Sequence, residues 1–204
     1  MAVLDPGERQ KQERRRQIIE AAKAVFADSG YHGASINAII ERAQIARGTF
    51  YLYFESKAAV FDSILDHAMG ALRARIHRID VFDPKAPPPQ VQLRAQVVAA
   101  LEYIVRDRPL AMLLLSAGHT PDAEAAERLD QFFGEIRDLL RRAFESGTEI
   151  KLLRKVDAQL AAAAMLGMVR GVVEQLITQR EPPPIETVVD EVLVLALRGV
   201  LAGP

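Results

Sequence analysis

Apolar residues recur at intervals of three and four along almost the whole chain, and that spacing confines it to helices. Ile18, Ala22, Val25 and Phe26 share one helical face, which Gly30 closes. Ser35 stands before Ile36, Ile39, Ile40 and Ala43, where its hydroxyl can cap the free N–H groups of a short helix. A further short run covers Arg47 to Phe54, and Ser56 heads a longer helix predicted from Lys57 toward Ile79. Pro84, Pro87, Pro88 and Pro89 remove donors and impose extended backbone, so this stretch is a connection. Val97, Leu101, Ile104 and Val105 then give a helix stopped near Arg108-Pro109, followed by a short apolar helix from Leu110 to Ala117. Thr120-Pro121-Asp122 reads as the cap of a long helix striped by Leu129, Phe132, Phe133, Ile136, Leu139, Leu140, Ala143 and Phe144, and closed by Gly147. Asp157 caps a run through Ile177, Pro182 to Pro184 break the chain, and Ile185 to about Ala202 forms the last helix. No period-two strand and no two-residue hairpin signal occurs. The expectation is an all-α protein of about nine helices without internal repeats.

Composition narrows the chemistry. Half of the 204 residues are apolar, which excludes disorder for most of the chain. Without cysteine there is no disulfide, no Cys-ligated zinc and no thiol nucleophile. The longest stretch between charged residues, the 13 from Pro109 to Pro121, is too short for a membrane span, and no basic-then-apolar leader opens the chain; the expected location is the cytoplasm. A net charge of −1 hides a weak asymmetry: residues 1–60 hold nine basic and seven acidic side chains, and 61–204 hold seventeen and twenty. Arg9, Lys11, Arg14, Arg15 and Arg16 cluster in eight positions, read as part of a basic arm whose first 12 residues are flexible, or else as a solvated helix start. Catalysis is not expected. Glycine-rich phosphate loops and His-Glu-x-x-His are absent, and His67 and His77, placed on one helix, lie about 280° apart around it, so they do not converge on a metal. No metal and no cofactor are expected.

The segment from Gly33 to Phe61 carries the function. Two short helices separated by about three residues have the geometry of a helix-turn-helix, whose second helix enters the major groove of DNA. Arg47 can read guanine edges or bind phosphate, Thr49 can donate to phosphate or touch a thymine methyl, and Tyr51 and Tyr53 offer phenolic donors. Gly48 lets backbone approach the duplex, while Phe50 and Phe54, four apart, face inward. Lys57 adds a full charge at the start of the next helix, where N–H groups and the helix dipole already favour an anion; Ser35 begins its helix in the same way without a cation.

The run Gly48-Thr49-Phe50-Tyr51-Leu52-Tyr53-Phe54-Glu55-Ser56-Lys57 closely resembles the signature of the TetR family of bacterial transcriptional repressors, Gly-Thr-Leu/Phe-Tyr-x-Tyr/His-Phe-x-Ser/Asn-Lys. The likeness covers residues 14–61 and includes Phe26-Ala27-Asp28-Ser29-Gly30-Tyr31. It implies that Arg47, Thr49 and Leu52 face bases of a double-stranded operator, and that Ser35, Tyr51, Tyr53 and Lys57 bind backbone phosphate. Two positions depart from the pattern. Ala43-Gln44-Ile45 stands where the family usually has Ala-Gly-Val, and Ile40 where a small residue is common.

The expected organisation is a helix-turn-helix domain over 1–60 and a ligand-binding and dimerisation domain over 61–204. The resemblance implies a repressor released from its operator by a small effector bound in the second domain. Bulky or adaptable groups of the middle helices, Tyr103, Met112, His119, Phe132, Met165 and Met168, are its candidate contacts, and their apolar character points to a hydrophobic or amphipathic ligand. The alternative is a ligand-independent helix-turn-helix DNA binder or an activator. In the last two helices, Ala163, Gly167 and Gly171 form a strip of small residues, and Val188, Val192, Leu195 and Gly199 form an apolar stripe. Helices apolar on several faces need cover on several faces, so a homodimer through these two is expected.

Overall fold

The computed structural model describes residues 5–116 and 122–200, with side chains through Ala196. Nine α-helices and no β-ladder occur among the described residues: α1 Pro6–Gly33, α2 Ile36–Ala43, α3 Arg47–Tyr51, α4 Lys57–Arg73, α5 Pro89–Arg106, α6 Arg108–Leu115, α7 Ala123–Glu149, α8 Ala158–Thr178 and α9 Ile185–Val200. The all-α expectation holds. Two compact units arise, one from residues 1–69 with 112–130 and one from 70–111 with 131–204, so α4, α6 and α7 each contribute residues to both.

In the first unit α1 packs on α2, and α2 on α3. Ile18, Ala22, Val25 and Phe26 are buried as their spacing predicts, together with Ile39, Phe50, Val60, Phe61 and Ile64. Each large side chain so buried contributes about 1.5–3 kcal/mol. Phe26, Tyr31 and Phe61 form an aromatic triad with ring centroids 4.8–5.5 Å apart. Two polar ties fix the helix ends. Gln17 Nε2 donates to the Ala43 carbonyl at 2.6 Å, satisfying the C-terminus of α2, and Gln17 in turn accepts from Arg14 at 2.7 Å.

In the second unit α5 packs against α8 and α9. Leu101, Ile104, Ala162, Leu166, Val173, Leu176, Val189 and Val192 are buried there. Arg94 grips Asp190 through both carboxylate oxygens, at 2.5 and 2.9 Å, joining α5 to α9, and that hydrogen bonding holds the Asp190 carboxyl below its ordinary range. Asp157 accepts from Gln159 N and Leu160 N, each at 3.0 Å, and caps α8 as expected.

Several boundaries differ from the sequence reading, each for a visible reason. Residues read as a flexible arm are helical from Pro6, because Asp5 accepts from Gly7 N and proline suits the first helical position. The backbone of α1 leaves helical geometry at Gly30 (φ 66°, ψ 169°), a conformation open essentially to glycine. α4 ends at Arg73 rather than near Ile79, since Arg75 folds back to the Ala71 carbonyl and Gln96 takes the His77 N–H at 3.0 Å. His67 and His77 therefore do not share a helix. α7 continues past Gly147 to Glu149; a Cβ on this glycine would stand 2.6 Å from Leu153 Cδ1, so the leucine side chain packs where a larger residue would displace it. Asp122 caps α7 through Ala125 N at 3.1 Å, while Thr120 and Pro121 lie outside the described residues.

Candidate nucleic-acid interface

The interface candidate is built on the turn between α2 and α3. Ser35 Oγ accepts from Ala38 N at 3.1 Å and starts α2. At its other end Gln44 adopts the left-handed conformation (φ 51°, ψ 48°), donating to Glu41 O at 3.1 Å, so the turn forms without the glycine usual at this place. Burial of Phe50 and Phe54 then sets the roll of α3, and N–H groups of Tyr53 and Phe54 continue its hydrogen bonding to Phe50 O at 3.0 Å. With those two rings inward, the opposite face is forced outward. Arg47 and Gly48 are exposed, Thr49 and Tyr53 half-buried, Tyr51 is 45% exposed and Leu52 80%. A leucine that exposed, beside two buried phenylalanines, is surface by construction.

Charge on this face is held in place. Arg47 Nη1 donates to Asn37 Oδ1 at 3.1 Å, and its guanidinium lies 5.8 Å from the Tyr51 ring centroid. Asn37 was not singled out by sequence reasoning, because its partner is ten positions away and no local spacing links them. Lys57 Nζ donates to the carbonyls of Tyr31 and Ala34 at 2.7 and 3.2 Å and sits 4.1 Å from the Tyr31 ring centroid. An ammonium has three N–H donors, so one remains for a phosphate oxygen. Ser35 uses its hydroxyl oxygen on Ala38 N and keeps its proton for donation. Burial, reinforced by Glu124, Asp122 and Asp62, pushes the Tyr31 phenol up to about 12, so this ring is neutral at any physiological pH.

The other candidates are spread out. Met112 is 40% exposed in the first unit. Phe132 is buried, and Tyr103, Met165 and Met168 half-buried, in the second; His119 lies outside the described residues. Arg75 stacks over Tyr103 at 4.5 Å and Arg170 over Phe133 at 4.7 Å. Among the dimer candidates Ala163, Gly167 and Gly171 are exposed, and Leu195 is 68% exposed. Val192 is buried within the chain and Val188 half-buried; the side of Gly199 lies outside the described side chains. Among the described residues no group of three or more His, Asp or Glu could hold a metal ion. α8 is the one described helix long and apolar enough to cross a membrane, with only 28% of its most apolar window buried.

Comparison with known proteins gives the same outline. The family described as bacterial regulatory proteins, tetR family, matches residues 18–64, and the tetracyclin repressor-like C-terminal domain matches residues 86–174. The HTH-type transcriptional repressor KstR of Rhodococcus jostii (strain RHA1) is 30% identical over 158 residues, 76% of this chain and 68% of KstR. The fatty acid metabolism regulator protein of Bacillus subtilis (strain 168) is 24% identical over 196 residues, covering 94% of this chain and 98% of that one. The crystal structure of the transcriptional regulator FadR from Bacillus subtilis in complex with stearoyl-CoA superposes with a TM-score of 0.75 at 22% identity, covering 90% of this chain and 98% of FadR, and shares the fold.

Proposed function

The chain belongs to the TetR family of bacterial transcriptional regulators, and from that premise we propose how its residues divide the work of a ligand-released repressor. The observation that carries the reading is the face of α3: Arg47, Gly48, Tyr51 and Leu52 point outward because Phe50 and Phe54 are buried. Arg47, braced by Asn37, and Thr49 and Leu52 face base edges in the major groove; Ser35, Tyr51, Tyr53 and Lys57 grip phosphate. A Cβ on Gly48 would meet nothing within 4 Å inside the protein, so the small residue serves close approach to the duplex rather than packing.

The effector is an amphipathic acyl compound, a long-chain fatty acid or its thioester, bound in the second unit. Relatives supply the class: one is named a regulator of fatty acid metabolism, and the FadR structure holds stearoyl-CoA. Phe132, Met165 and Met168 supply adaptable apolar lining there, and Arg75 and Arg170, each stacked on a ring, supply positive charge for a polar head. Release of DNA requires only that the ligand bind one arrangement of the regulator better than the other. The regulator works in the cytoplasm as a homodimer joined through α8 and α9, with Ala163, Gly167, Gly171 and Leu195 at the contact and Val188 and Val192 supporting it from beneath.

Fluorescence anisotropy tests the whole reading. The protein is expected to prefer DNA from directly upstream of its own gene over scrambled DNA at two salt concentrations, and an acyl-CoA series is expected to abolish that preference with increasing potency as the chain lengthens. Binding that ignores every acyl-CoA but stays sequence-specific would establish the ligand-independent regulator instead.

A further inference from the structure

Arg9, Lys11, Arg14, Arg15 and Arg16 occupy the outer turns of α1, ahead of its first buried residue, Ile18. Their contacts separate them. Arg16 is paired with Glu13 at 2.6 Å, and Arg14 is held by Gln17 at 2.7 Å. Arg15 is fixed instead to residues further along the chain, Ser63 of α4 and Phe54 just after α3: its Nη2 donates to Ser63 Oγ at 2.8 Å, and its guanidinium lies 5.0 Å from the Phe54 ring centroid. From there it walls an open hollow of about 440 Å³ together with Tyr51, Leu52, Tyr53 and Glu55.

A guanidinium has five N–H donors in a planar fork matched to phosphate, and only one of Arg15's is committed to Ser63. Stacking on Phe54 already holds the side chain in one place, so little rotamer freedom is left to lose on binding. Two phenols from the recognition segment face the same hollow. Glu55 on its wall disfavours a small free anion, whereas a strand held by many contacts at once can place one phosphate there. Lys11 stands four residues before Arg15, on the same face of α1 and one turn further out, and it is exposed.

We propose that Arg15, extended by Lys11, binds the phosphate backbone of the DNA strand that Tyr51 and Tyr53 also grip, making the outer turns of α1 part of the DNA-binding surface. This rests on the DNA-binding reading above. It adds two cations that lie outside the run from Gly48 to Lys57, and its rival is that Arg15 only covers the Phe54 ring.

The test compares wild type with Arg15→Met, which still covers Phe54 but is neutral, Arg15→Lys, and Lys11→Ala. Dissociation constants are measured by anisotropy on upstream and scrambled duplexes across a fourfold rise in salt, with thermal melting alongside. Each lost phosphate contact lowers the log–log salt slope by about 0.9 per subunit, so over that range wild-type affinity is expected to fall about 3.5-fold more than the variant's for each contact removed. The loss is expected to be equal on both duplexes, and Arg15→Lys to restore most of the slope. An unchanged slope in Arg15→Met and Lys11→Ala overturns the proposal, even where Arg15→Met melts earlier, because that outcome assigns Arg15 to packing. A loss confined to the upstream duplex overturns it too, in favour of base reading. Wild type binding neither duplex at the lower salt would sink the DNA-binding reading itself.

Discussion

Lys57, proposed above as a phosphate ligand, is also tied within the chain. Sequence pattern places it as a phosphate ligand, and the structure adds an intramolecular duty, since its ammonium ties the carbonyls of Tyr31 and Ala34 at the end of α1 to the start of α4. Lys57→Ala is therefore expected to weaken binding to every DNA sequence alike, to lower the salt slope by about one per subunit, and to cost about 1–2 kcal/mol of folding stability, a charged hydrogen bond discounted for its half exposure. Loss of affinity with full thermal stability would mean the two carbonyls contribute nothing. Arg47→Ala is expected to behave differently, relaxing preference at one base position of each half-site by about 1–3 kcal/mol while melting stays unchanged. Tyr31 gives a pH signature. Its folded-state phenol is raised to about 12, so the folded state holds this proton where an unfolded tyrosine at about 10 has lost it. Its contribution to stability is complete below pH 10 and is lost as pH rises toward 12, and Tyr31→Phe is expected to remove one phenolate step from the alkaline end of an ultraviolet titration.

At the scale of elements, what could be read from the sequence depended on how local its cause was. Helices announced by a capping side chain two or three residues away came out where expected, as with Ser35, which accepts from Ala38, Ser56, which accepts from Ala59, and Asp157, which accepts from both Gln159 and Leu160. Boundaries set by distant partners did not. The end of α4 depends on Gln96, 19 positions beyond the N–H it accepts, and Gly147 marks a contact with Leu153 rather than a stop. The turn between α2 and α3 was legible in place but not in conformation: Gln44 takes the left-handed geometry that glycine takes at no steric cost. Gln44→Gly is accordingly expected to stabilise the chain by about 0.5–1 kcal/mol, after the wider freedom of glycine in the unfolded state is subtracted, and to raise Tm by about 2–4 °C per kcal/mol at this chain length. Operator affinity is expected to hold. A lower Tm would show that the glutamine side chain contributes more than the left-handed backbone costs.

For the whole molecule, the uncovered apolar surface bears on the proposed homodimer. α8 satisfies the length and composition of a membrane-crossing helix, but Arg170 and Glu174 lie within it and it packs on α5 along its buried face. What remains is a strip bounded by Leu160, 69% exposed, and running through Ala163, Gly167 and Gly171, with Leu195 of α9 68% exposed. Exposed small residues spaced by four allow two helix backbones to come close, which a partner subunit would use and a solvated surface would not. A Cβ on Gly167 meets nothing within 4 Å in its own chain, so Gly167→Leu perturbs the isolated subunit little while obstructing a close helix–helix approach. The variant is expected to sediment as a monomer at micromolar concentration where wild type sediments as a dimer. The consequence for DNA follows from linkage of two reading heads. When both are joined, the second half-site is bound at high effective concentration, and separating them removes about 10²- to 10⁴-fold of affinity for a two-site duplex. Binding to a single half-site is expected to change little, because Arg47, Tyr51 and Leu52 lie in the other compact unit. A Gly167→Leu dimer with undiminished two-site affinity would place the interface elsewhere on the chain.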